Sequence, residues 1–140
     1  MRLFKKRLSV VAAALSVAMG GALLAASPAS AAAAYNGACG SGYSVVNSAR
    51  ISGSDPATVF LTYNSSTGYN CGVTIRDNPG KSVFMQVSVF NSSDAAKFGH
   101  DSDYYTTYAG PVYADARGAC VDWYGVSGSG SIAKRGTNCG

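Results

Sequence analysis

Tyr104-Tyr-Thr-Thr-Tyr-Ala-Gly-Pro-Val-Tyr-Ala-Asp-Ala-Arg-Gly-Ala-Cys-Val-Asp-Trp123 is the stretch on which the reading of this chain turns. Aromatic and β-branched residues at this density suit a pleated, half-buried surface. Pro111 has no N–H and Gly110 tolerates unusual dihedrals, so a hydrogen-bonded ladder is interrupted there. Arg117-Gly118 supplies a turn. The stretch reads as strand, sharp break, strand, turn, strand.

Working outward from it, Ser82–Phe90 alternates most clearly, with Val83, Met85, Val87 and Val89 set against Ser82, Gln86 and Ser88. Period-two alternation marks a strand with one buried face. Tyr69–Arg76 repeats the pattern, with Cys71, Val73 and Ile75 expected inward and Gly72, Thr74 and Arg76 outward. Thr58–Tyr63 and Tyr43–Ile51 read as earlier strands. Asn64-Ser65-Ser66-Thr67-Gly68 is a hairpin loop with Gly68 suited to positive φ, and Asp77-Asn78-Pro79-Gly80 is a strong turn signal. Asn91–Asp103 is a polar interruption, expected to hold one helical turn around Asp94–Phe98. Gly125–Gly130 is expected to be mobile, with Ser131–Arg135 a last short strand. Six to eight strands at a spacing of about 8–12 residues predict an all-β fold, a small antiparallel sandwich or barrel.

Residues 1–31 have the order of a secretory signal peptide: Arg2, Lys5, Lys6 and Arg7, then the apolar run Leu8–Ala26, then the small-residue site Ala29-Ser30-Ala31. Its removal leaves 109 of the 140 residues. Residues 32–38 are expected as a flexible lead-in and 39–140 as a single β domain. The precursor has 11 basic and 7 acidic residues. The four basic residues of the signal leave seven against seven aspartates, so the mature chain is neutral. Neutrality removes the electrostatic footprint of a nucleic-acid binder, and no membrane contact is expected after signal cleavage.

All four cysteines, Cys39, Cys71, Cys120 and Cys139, lie beyond the signal. An even count in an exported chain predicts two disulfides. Three pairings are open, and Cys39–Cys71 with Cys120–Cys139 is favoured because the strands they flank are neighbours in sequence. Zinc sites bring cysteines in close pairs, which this scatter lacks.

Catalytic chemistry has little to draw on. The mature chain has no glutamate and one histidine, His100, and no Gly-x-Ser-x-Gly elbow. A hydrolase would have to be built on His100, which reads as a loop residue between Gly99 and Asp101. Asp94 and Asp101-Ser102-Asp103 are weak candidates for calcium through oxygen. No metal or cofactor is expected, and no enzymatic activity. Asn64-Ser65-Ser66 and Asn91-Ser92-Ser93 match the glycosylation pattern. The aromatic set is the better candidate: Tyr104, Tyr105, Tyr108, Tyr113, Trp123 and Tyr124 are expected to form a binding surface, an apolar ring with a polar tip suiting sugars or protein. Tyr104 and Tyr108 are expected on one face and Tyr105 on the other. A further alternative is a protease inhibitor presenting Lys134 and Arg135 from an exposed Ser127–Arg135 loop.

Cys39-Gly40-Ser41-Gly42-Tyr43, the Tyr63–Cys71 hairpin, Tyr108-Ala109-Gly110-Pro111-Val112, Cys120-Val121-Asp122-Trp123 and Cys139-Gly140 together resemble the spore-associated protein A family of filamentous actinobacteria. The resemblance implies an exported small protein found with aerial hyphae and spores, and carries no catalytic residues. The expected function is therefore a non-enzymatic spore- or cell-surface protein acting through its aromatic sheet surface. Its expected partners are surface polymers or proteins of the spore or wall. A secreted glycan-binding module is the alternative.

Overall fold

The computed structural model describes residues 31–140. The expected signal therefore lies outside the described residues, apart from Ala31. Eight strands follow among them: β1 (Ser44–Ile51), β2 (Ala57–Asn64), β3 (Tyr69–Arg76), β4 (Val83–Asn91), β5 (Asp94–Tyr105), β6 (Tyr108–Asp115), β7 (Val121–Ser127) and β8 (Gly130–Thr137). They form two four-stranded antiparallel sheets, β1-β2-β3-β6 and β5-β4-β7-β8. The all-β sandwich is as expected, and both disulfides take the favoured pairing, Cys39–Cys71 and Cys120–Cys139.

The inner faces meet in one apolar layer in which Val59, Leu61, Met85, Val87, Val89 and Trp123 are buried. Sheets packed face to face bury alternate residues of each strand, and β4 and β7 show that rhythm cleanly. The strand β3 does not. Its inward residues are Gly72 and Thr74, the reverse of the expectation. A Cβ on Gly72 would stand 3.1 Å from Val87 Cγ2 across the seam, and Thr74 Oγ1 donates to the Gln86 carbonyl at 2.9 Å. Val73 and Ile75 point to the opposite face, yet both are buried.

What covers them is the segment before Cys39. With Phe60, Val73 and Ile75 form a second apolar cluster under Ala33, Tyr35 and Ala38. The Tyr35 and Phe60 ring centroids are 5.8 Å apart. Ala33 N–H donates to Asp77 Oδ1 at 2.9 Å, and Arg50 grips the same carboxylate at 2.6 and 2.5 Å. That pairing holds the Asp77 carboxyl below its usual range. The expected loose lead-in is thus a strap, docked because the outer face of β2 and β3 is apolar and tied down by Cys39–Cys71.

Two other expectations are corrected, and the interruption expected at Gly110-Pro111 is found within a single strand. Asp94–Phe98 is strand, not a helical turn. Asn91 Oδ1 accepts the N–H groups of Ser93 and Asp94 at 2.8 and 3.1 Å, turning the chain into a hairpin with β4. Such a side-chain cap serves a tight turn as well as a helix start. The break at Gly110-Pro111, a cis peptide, lies inside β6, where the register with β3 shifts between Gly72 and Thr74. Gly125–Gly130 is not a free loop: Ser127 pairs with Gly130 across a two-residue turn, and Gly128 N–H donates to the Phe84 carbonyl at 2.9 Å.

One side of the sandwich is nearly closed. There β5 lies against β6, with Gly110 N–H donating to Asp101 Oδ2 at 2.7 Å and Lys97 3.7 Å from Asp115. On the other side β1 and β8 are edges. Each bears a register irregularity, at Val45/Asn47 and opposite Val121/Trp123. Asn138 donates from its amide to the Val46 carbonyl at 3.3 Å and accepts from the Asn47 amide at 3.0 Å.

Two outcomes are expected. Gly125→Ala forces a methyl between Val59 and Thr74 and lowers stability by about 1–3 kcal/mol in urea denaturation. Replacing Cys39 and Cys71 together with serine opens a closure of 32 residues and costs about 3–4 kcal/mol in the same assay.

Candidate functional site

The outer face of the β5-β4-β7-β8 sheet is built by cross-strand pairing. Phe84 lies opposite Tyr104, Gln86 opposite Ser102, Ser88 opposite His100 and Phe90 opposite Phe98. On the other flank of β4, Ser88 faces Tyr124 and Phe90 faces Asp122. Because side chains alternate along each strand, every one of these pairs shares the face turned away from the core.

Two aromatic pairs mark the ends of this face. Phe84 and Tyr104 meet edge to face with centroids 5.9 Å apart, and Phe90 and Phe98 stack at 5.7 Å with ring planes 17° apart. Phe84, Phe98 and Tyr104 are 38%, 54% and 67% exposed, so rings of this size are turned to solvent. Between the pairs runs a polar row. Gln86 Nε2 donates to Ser88 Oγ at 3.4 Å, Ser88 Oγ is 2.9 Å from His100 Nδ1, and His100 Nε2 is 3.1 Å from Ser102 Oγ.

His100 is therefore a strand residue, not a loop residue, and both ring nitrogens are occupied by hydroxyls. Among the described residues no carboxylate contacts the ring. Asp101 points the other way, accepting from Tyr105 Oη and from Gly110 N–H, each at 2.7 Å. Ser88 is 2% exposed. A Ser-His-Asp arrangement is not assembled on this histidine. Asp94 and Asp103 each cap a nearby backbone N–H, of Ala96 and Tyr104. Among the described residues no three of His, Cys, Asp and Glu gather in a way that could hold a metal.

Beside the polar row, toward β8, lies a groove of about 400 Å³. Phe90, Tyr124, Gln86 and Ser88 line it, Ala95 borders it from β5, and Asp122, Lys134 and Arg135 supply its charged lining. Ser92 Oγ and Gly136 N–H both donate to Asp122 Oδ1 at 2.7 Å. These two bonds, with the nearby charge of Arg135, keep the Asp122 carboxyl below its usual range despite partial burial. A smaller recess of about 250 Å³ lies beside the Cys120–Cys139 bridge.

The six aromatic residues expected to form one surface do not meet. Trp123 is 2% exposed and belongs to the core, its indole N–H donating to Thr137 Oγ1 at 2.8 Å. Tyr105 packs against the core rim. Tyr108 and Tyr113 lie on the other sheet, opposite Ile75 and Cys71, where Tyr113 packs on Tyr43 and donates to the Cys39 carbonyl. Only Tyr104 and Tyr124 belong to the face described here. Sequence reasoning missed Phe84, Phe90 and Phe98. The signal was present: Phe84 and Phe90 sit in phase with Gln86 and Ser88, on the polar side of β4. Of the glycosylation patterns, Asn91 is buried and donates to the Asp115 carbonyl. Lys134 and Arg135 belong to β8, not to a protruding inhibitory loop.

No family model matches the chain, and no solved structure matches it. The chain is 49% identical over 129 residues to spore-associated protein A of Streptomyces coelicolor, an alignment spanning 88% of this chain and 82% of that protein.

The hydrogen bond to Asp101, burial, and the charges of Asp101 and Asp103 push the Tyr105 phenol up to about 12. A phenol ionises near pH 10 in the unfolded chain. A raised folded value gives stability that is complete below about pH 10 and lost as pH climbs toward about 12. Tyr105→Phe should flatten that alkaline decline in melting temperature, and ultraviolet titration of the native protein should show one phenol ionising after the rest.

Proposed function

Because the chain belongs to the spore-associated protein A family, we propose that it is an exported, non-enzymatic protein of the spore or cell surface. It attaches through the outer face of β5-β4-β7-β8. The export signal at 1–31 and the two disulfides support work outside the cytoplasm, where such bridges form and persist.

The observation that carries the reading is the contrast between the two outer faces. The strap of residues 33–39 covers Phe60, Val73 and Ile75 on the β1-β2-β3-β6 sheet, which still exposes Tyr69, Tyr108 and Tyr113. Among the described residues nothing covers Phe84, Phe98 and Tyr104 on the other sheet. Exposed rings on a rigid sheet offer large contact area at low entropic cost, the usual make-up of an anchoring patch. Partners of this face would be polymers or proteins of the spore coat or wall.

The test is co-sedimentation of the oxidised protein with washed spores and with purified wall. The native protein should be found in the pellet. Phe98→Ser combined with Tyr104→Ser, both at exposed positions, should cut the bound fraction at least tenfold while circular dichroism stays unchanged. A native protein left wholly in the supernatant refutes the proposal.

A further inference from the structure

Resting on that attachment reading, we infer that the groove between β4 and β8 is a saccharide site, which takes a pyranose unit through Tyr124, Asp122, Arg135 and Gln86. A sugar ring has an apolar face of C–H groups and a rim of hydroxyls. It is held by an aromatic wall together with a few placed donors and acceptors.

Each part is present. The groove, at about 400 Å³, lies at the lower end of the range for small-molecule pockets and holds one or two sugar rings. Tyr124 and Phe90 supply apolar lining, and Gln86 supplies an amide beside it, held by the buried Ser88 hydroxyl. Asp122 is prepared as an acceptor. Ser92 and Gly136 use only its Oδ1, so Oδ2 is left to receive a ligand hydroxyl. Their bonds hold the side chain in place and favour its ionised form. A charge-assisted bond from a sugar hydroxyl to such an oxygen is about twice as strong as a neutral one. Arg135 forms no ion pair within 4.0 Å among the described residues and brings a fork of donors to the same end of the groove.

Charge does not select among sugars here. Asp122, Lys134 and Arg135 all line the groove, so a ligand carboxylate would meet one like and two opposite charges. The ring row Phe84, Tyr104, Phe90 and Phe98 lies on the same face, so a polymer seated in the groove can run on across it.

The experiment is a two-dimensional NMR titration of the oxidised protein with three soluble probes: hexasaccharides of glucose, of N-acetylglucosamine and of galacturonic acid. At least one of the probes should shift the amide signals of Asp122, Tyr124 and Arg135. Asp122→Asn and Tyr124→Leu should each weaken that binding at least tenfold, while Tyr69→Ser, on the opposite sheet, leaves it unchanged. Unchanged melting of each variant verifies its fold, and Arg135→Gln, at an exposed edge position, is the second probe of the site if Tyr124→Leu fails to fold. No response to any of the three probes, or binding that survives these substitutions, overturns the assignment. Silence toward all three sugars by a protein that still sediments with spores refutes the saccharide site alone. Failure to sediment refutes the attachment reading beneath it.

Discussion

The seam between the two sheets leaves no room for a side chain at Gly72, Gly125 and Gly130. A Cβ at any of them would collide with Val87 and Val89, with Val59 and Thr74, or with the Ser52 carbonyl. Close approach of backbones lets Val59, Leu61, Met85 and the Trp123 indole interlock without voids, and interiors at that density tolerate little added volume. The consequence for function is geometric. The inner faces are consumed by each other, so interactions are left to the outer faces, the edges and the loops.

Of those two outer faces, one is covered in part, with Tyr69, Tyr108 and Tyr113 left exposed on its strands. The strap laid over Phe60, Val73 and Ile75 makes a third layer in a fold that would otherwise have two. Its tether, Cys39–Cys71, joins the strap to the outward side of β3. A disulfide placed there also explains why Cys71 is fully buried although it faces away from the main core. Among the described residues the remaining face is uncovered, and it carries rings, hydroxyls and the ordered Asp122 carboxylate.

Much of this was legible in the residues. The alternation of Val83, Met85, Val87 and Val89 placed β4 correctly, the Tyr63–Cys71 hairpin formed as read, and the cysteines paired with their sequence neighbours. What failed did so for identifiable reasons. Alternation in β3 gives phase without sign. A strand buried on both sides looks half-buried when its inward residues are glycine and threonine. The Asn91-Ser92-Ser93-Asp94 run resembled a helix start because the same side-chain cap closes a hairpin. Trp123 and Tyr105 were read as surface because ring content alone does not separate a core aromatic from an exposed one. Only their register against Val89 and Val83 does. Phe84, Phe90 and Phe98 were overlooked for the converse reason, since phenylalanine is assigned to cores by default.

The unpaired edge at β1 has a consequence of its own. An exposed edge strand bearing Val45 and Val46 is a template onto which a second chain could add its own strand. Here the bulge at Val46 breaks the repeat of the ladder, and the Asn138 amide already occupies the Val46 carbonyl. Both features oppose strand addition along this edge, so neighbouring copies are kept from zipping together there.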